Sequence, residues 1–195
     1  MNSAEIGRGT ESGRERNGPL DMALEVVVIP VSDVGRAKRF YGDLGWRLDL
    51  DFDSGIGYRV IQFTPPGSGC SVTFGQNVTS AAPGSVQGLH LVVSNIDTAR
   101  EELLRRGIAV SEPFHDAGGV FHRAGPEGRA AGPNPQRKSY ASYLSFSDPD
   151  GNRWVIQEVT ARLTADLAEG DIHFTAELVQ ALLHPKIAVG RLAAE

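Results

Sequence analysis

Residues 24–31 (LEVVVIPV) form an apolar, β-branched run of strand length that ends at the polar pair Ser32-Asp33. Beyond it the period changes. Val34, Ala37, Phe40, Tyr41 and Leu44 fall on one face of a helix, with Ser32-Asp33 as its N-cap and Gly45 as the residue that ends it. Strand-like segments follow at 47–52, 58–63 and 71–74, the last after the turn Pro65-Pro66-Gly67. The predicted order is β-α-β-β-β.

A linker rich in Ser, Ala, Pro and Gly (76–85) separates this unit from a second. There, 89–93 predicts a strand and Asn95 caps a helix whose inner face is Ile96, Ala99 and Leu103. Gly107 closes that helix, and 108–110 opens a second strand. The last two strands, 143–146 and 153–159, are joined by Asp148-Pro149-Asp150-Gly151-Asn152. A shift of 62 lays Val31-Ser32-Asp33-Val34 on Val93-Ser94-Asn95-Ile96 and Gly45 on Gly107. A shift of 83 lays Phe63 on Phe146, Pro66 on Pro149 and Val72 on Val155. One supersecondary unit is therefore used twice, with 21 extra residues inside 112–140 of the second copy. That Gly/Pro-rich insertion, which carries His115 and His122, is either a lid over a pocket or an excursion into solvent.

These patterns divide the chain into a tail (1–21), a two-unit domain (22–160, units 22–76 and 86–160) and an extension (161–195). The tail holds too little apolar surface to order itself, and Met22 at its end is an alternative start. In the extension, 175–183 (TAELVQALL) predicts one helix.

Charge and composition narrow the function. With 19 Lys and Arg against 24 Asp and Glu, the formal net charge is −5, and no basic run of nucleic-acid type occurs. Neither a nucleic acid nor a membrane is expected as partner, since no apolar stretch reaches the roughly 20 residues that span a bilayer. The single cysteine, Cys70, excludes an internal disulfide and fits a cytoplasmic location.

Two motifs carry a resemblance. Val31-Ser32-Asp33 with Arg36-Ala37-Lys38-Arg39-Phe40-Tyr41 and Leu44-Gly45-Trp46 resembles the opening of a vicinal oxygen chelate module. Phe146-Ser147-Asp148-Pro149-Asp150-Gly151-Asn152 resembles the turn before that family's last strand. The superfamily includes glyoxalases, bleomycin-resistance proteins and extradiol dioxygenases. The resemblance implies an α+β fold of two tandem β-α-β-β-β modules, with curled mixed sheets around a shared cavity. It also implies a homodimer and, in many members, a metal held by His, Gln or Glu on the first and last strands of each module. By alignment those four positions are Val26, Val72, Gly88 and Val155, and none offers a metal-binding side chain.

No metal or other cofactor is therefore expected. A shifted divalent site would need His90 and Gln157, two residues along from Gly88 and Val155 on the same strand faces, with a loop histidine added. Glu158 would face away. The first functional expectation is a metal-free binder of a small apolar or aromatic molecule. Val26, Val28, Val72, Phe74, Val92 and Val155 would line its cavity, with His90 and Gln157 as polar anchors and Trp46, Tyr58 and Tyr143 as aromatic walls. The second is a lyase, isomerase or dioxygenase-like enzyme that uses the shifted metal, or His90 as acid and base. The third is a scaffold for protein interactions.

Overall fold

Both helices start and stop where short-range chemistry dictates. Helix α1 (Val34–Asp43) begins at Asp33, whose carboxylate accepts the Arg36 N–H at 2.8 Å. Helix α2 (Ile96–Arg105) begins at Asn95, whose side-chain oxygen accepts the Thr98 N–H at 2.9 Å. Each bond satisfies a donor that the first turn leaves unpaired. Gly45 and Gly107 follow with φ of 78° and 79°, a left-handed conformation that ends a helix and strains any side chain.

The computed structural model describes residues 22–118 and 125–161. In the first module β1 (Val26–Val28), β2 (Arg47–Asp53), β3 (Arg59–Thr64) and β4 (Ser71–Gln76) form one sheet in the order β1-β4-β3-β2. In the second, β5 (Leu89–Val93), β6 (Phe114–Asp116), β7 (Arg129–Ala131), β8 (Ser142–Ser147) and β9 (Arg153–Glu158) form a sheet in the order β5-β9-β8-β6-β7. The first strand lies parallel to the last in both sheets, because the intervening helix carries the chain across; the other pairings are antiparallel. The fold is thus α+β, two tandem modules with mixed sheets, and both sheets remain open.

Two details differ from the sequence pattern. Strand pairing in the second module does not begin at Ile108. Ile108 is buried in the core, Val110 makes an isolated bridge to Phe146, and the ladder starts at Phe114. Part of the insertion becomes the hairpin β6–β7 at the sheet edge. The repeat of the last strand also slips by one. Phe63 pairs with Val72 while Phe146 pairs with Trp154, so the counterpart of Val155 is Thr73 and not Val72. A slip of one residue changes the face on which a side chain stands. The predicted helix at 175–183 and the two terminal segments lie outside the described residues.

The modules share one core. Tyr41, fully buried, packs at 5.1 Å from Trp46 and 5.3 Å from Phe74 (ring centroids). Trp46 meets Trp154 of the other module edge to face at 5.2 Å. The turn before β9 closes this junction. Buried Asp148 accepts from the backbone of Asp150 and Asn152, from the Asn152 amide (2.7 Å) and from the Tyr41 hydroxyl (2.9 Å). Asn152 in turn donates to the Pro30 carbonyl at 2.8 Å, and Asp150 takes Ser32 and Arg36. The second signature motif therefore acts as an inter-module clasp.

Candidate functional site

Alternation along each strand sorts side chains between a helix-covered face and an open face. On the second sheet, Leu89, Leu91, Trp154, Ile156, Leu144 and Phe146 lie under the shared core. His90, Val155, Gln157 and Tyr143 stand on the opposite face, in neighbouring register (His90 pairs with Val155, and Gln157 with Tyr143); this face is open at His90, whereas Val155 and Tyr143 are buried. The structure thus brings three predicted site residues, His90, Tyr143 and Gln157, to one face of the sheet. His90 is exposed and also borders a small apolar cleft of about 230 Å³ between the modules, with Val27, Cys70, Val72, Leu89 and Trp154.

Phe114 was not anticipated, because it sits at the head of the insertion. It pairs with Tyr143 across β6 and β8, and the two rings stack at 5.7 Å. With Val155 they make a buried apolar cluster separate from the main core. The Tyr143 hydroxyl donates to the Tyr140 carbonyl at 2.5 Å and accepts from Gln157 Nε2 at 3.2 Å. Gln157 Nε2 also donates to Tyr140 at 2.8 Å, so Gln157 orients the phenol and the returning arm of the insertion together. Burial pushes the Tyr143 phenol up to about 12, with the Asp116 carboxylate adding to the rise, which keeps it a neutral donor at physiological pH.

On the first sheet, Val26, Val28, Leu50, Phe52 and Tyr58 share the face turned away from α1 and are 39–50% exposed. Val28 and Tyr58 therefore stand on an open apolar surface. Trp46 and Phe74 do not. Both are packed in the shared core with Val72 beside them; Trp46 also borders an apolar cleft of about 230 Å³ with Val92, Phe146 and Ile156, and Val72 borders the cleft of His90. Glu158 faces away from the open face, as alternation requires. It is 1% exposed, accepts the Ile96 N–H at the start of α2 (3.1 Å) and pairs with Arg137 at 2.9 Å.

With the slip in β4 counted, the four ligand positions that the resemblance implies become Val26, Thr73, Gly88 and Val155. Gly88 has φ of 75°, so the backbone there favours glycine over any ligating residue. Among the described residues no group of three His, Cys, Asp or Glu side chains could hold a metal ion. His115 is committed locally, its Nδ1 lying 2.8 Å from the Gly132 carbonyl, and His122 lies outside the described residues. Among the described residues no helix is long and apolar enough to cross a membrane.

The model of the glyoxalase/bleomycin resistance protein/dioxygenase superfamily matches residues 23–156, and the chain belongs to that superfamily. Among solved structures, it is similar to TnmS3, an antibiotic binding protein from Streptomyces sp. CB03234. The two are 28% identical over 71% of this chain and 97% of that one, with a TM-score of 0.52. A glyoxalase/bleomycin resistance protein from the same Streptomyces is also 28% identical, covering 70% and 100%, with a TM-score of 0.50. A superfamily member from Sphaerobacter thermophilus is 25% identical, covering 71% and 98%, with a TM-score of 0.52. A comparison with curated proteins finds no match.

Proposed function

We propose that this protein binds a small apolar or aromatic molecule stoichiometrically and without a metal, on the open face of its second sheet. The observation that carries the reading is the mixed apolar and polar character of that face, where exposed Val92 and His90 stand beside the half-buried Gln157. Apolar surface with a few fixed polar groups is the usual composition of a small-molecule site. TnmS3, 28% identical over most of the domain, is an antibiotic binding protein, which supports an antibiotic-like ligand.

The open face needs a cover. The exposed apolar surface of the first sheet (Val28, Leu50, Phe52, Tyr58) has the character of an association surface, and a second copy of the chain placed over it would enclose the ligand. The functional unit is accordingly a homodimer, and the single cysteine suits a cytoplasmic one.

Calorimetric titration with a panel of aromatic antibiotics, in buffer containing a chelator, tests the reading. One ligand per site, recovered chemically unchanged, is the expected result. Conversion of the ligand would replace the binder by an enzyme, and His90→Ala would then show whether His90 takes part. No binding across the panel would sink the proposal.

A further inference from the structure

The repeat makes the two helices comparable position by position, and they are not equally covered. A shift of 62 lays Ala37 and Tyr41 of α1 on Ala99 and Leu103 of α2. Ala37 and Tyr41 are 0% exposed, whereas Ala99 and Leu103 are only half-buried. The difference has a location. On the helix side of the second sheet, Ala99 and Leu103 form one wall of the apolar cleft of about 230 Å³, and Leu44, Trp46, Pro65 and Pro66 of the first module line it with them. An apolar helix face left open in this way is stabilised by any partner that removes it from water.

The chain itself carries such a partner. It leaves the second sheet beside the cleft: Val159 donates to the carbonyl of Val93, a cleft residue, at 2.8 Å, and Glu158 accepts from Ile96 at the start of α2. In the extension that follows, Leu178 and Leu182 recur at helical spacing within 175–183. The intervening residues 162–174 can span roughly 40 Å when extended, ample to reach any point along α2. Charge favours the approach. Asp166, Glu169, Asp171 and Glu177 outweigh Arg162 before and within this segment, while Arg105 and Arg106 at the end of α2 share the single Glu102 at the rim of the cleft. Tethering makes the encounter intramolecular, so a few apolar contacts suffice.

We propose that segment 175–183 docks in the inter-module cleft of its own chain, laying Leu178 and Leu182 against Leu103 and Trp46 and strapping the two modules together.

Thiol protection tests this in the full-length protein on a Cys70→Ser background. A cysteine is introduced on either side of the cleft, by Ala99→Cys or by Pro66→Cys, and its reaction with N-ethylmaleimide is timed. Adding Leu178→Asp and Leu182→Asp should speed the reaction at both positions at least ~10-fold, as expected when a docked segment is released. The two positions are independent checks, so misfolding of A99C leaves P66C to decide. Phe52→Cys, on the open face of the first sheet, should react at one rate with either form of the segment. Rates should not vary with protein concentration, since each chain fills its own cleft. Reaction in the cleft that is indifferent to L178D/L182D overturns the proposal. Acceleration confined to F52C also overturns it, by putting the segment on the first sheet. Protection lost on dilution does the same, because the occupant would then come from a second copy.

Discussion

Asp148 is buried, yet it receives two backbone N–H groups, an amide and a phenol, so its charge is well satisfied. Removing it strands those donors. Asp148→Ala should cost about 3 kcal/mol in urea denaturation, and Tyr41→Phe, which deletes one bond of the set, about 1 kcal/mol. Burial, with Asp148 adding to it, raises the Tyr41 phenol above its ordinary range, so Tyr41 stays a neutral donor throughout the useful pH range. Surface charges behave differently. The Asp51 carboxylate, held by Arg59 and Lys38, lies at about 2, below its unfolded value. A depressed carboxyl contributes stability that is present above the unfolded pKa and is lost as pH falls through the folded one. Asp51→Asn should therefore flatten the loss of stability between about pH 4 and pH 2, by less than about 1 kcal/mol because the pair is solvent-screened. Melting curves across that window measure it, and an unchanged acid limb would reject the assignment.

At the level of elements, α2 and the returning arm of the insertion depend on one another through Glu158. This carboxylate caps the first turn of α2 at Ile96 and binds Arg137, which adopts φ of 50°, and Arg137 also reaches Asp97. Glu158→Ala should cost about 3 kcal/mol, because it leaves Arg137 and the helix N-terminus without their shared acceptor. Limited proteolysis should then cut between residues 132 and 141, and a protected arm in that variant would show that other contacts hold it. The helices, their caps and most strands were legible because caps, glycines and periodicity are local signals. Given the family alignment, alternation put His90 and Gln157 on one face and Glu158 on the other, while Tyr143 was expected only as an aromatic wall. Less was legible where pairing is non-local. The strands of β6–β7 are three residues each within a Gly/Pro-rich stretch, so Phe114 and Arg129 carried no periodic signal. That Trp46 and Phe74 pack in a core shared by both modules is likewise a non-local fact that periodicity does not carry. The one-residue slip in β4, which puts Thr73 in the place given to Val72, depends on the length of the preceding turn, and tandem alignment cannot see it.

For the whole molecule, the question is whether the two modules are independent domains or halves of one. Each has its own sheet and helix, and a short linker joins them, which is the arrangement of separable units. The interior argues otherwise. Trp46 and Tyr41 of the first module pack on Trp154 of the second, Phe40 approaches Phe146 at 6.2 Å, and the Asp148–Asn152 turn bonds to Tyr41, Pro30 and Ser32 across the junction. A module unfolding alone would expose this apolar surface on its neighbour as well as its own, so partial unfolding is penalised twice. The domain should therefore unfold in a single two-state transition, with circular dichroism from both sheets and fluorescence from Trp46 and Trp154 superimposing along a urea gradient. Asn152→Ala, which cuts the bond to Pro30 without touching a ring, should lower the midpoint and preserve the single transition. If the dichroism showed two steps while the tryptophan signal showed one, the modules would be separable domains and the aromatic junction only a docking contact between them.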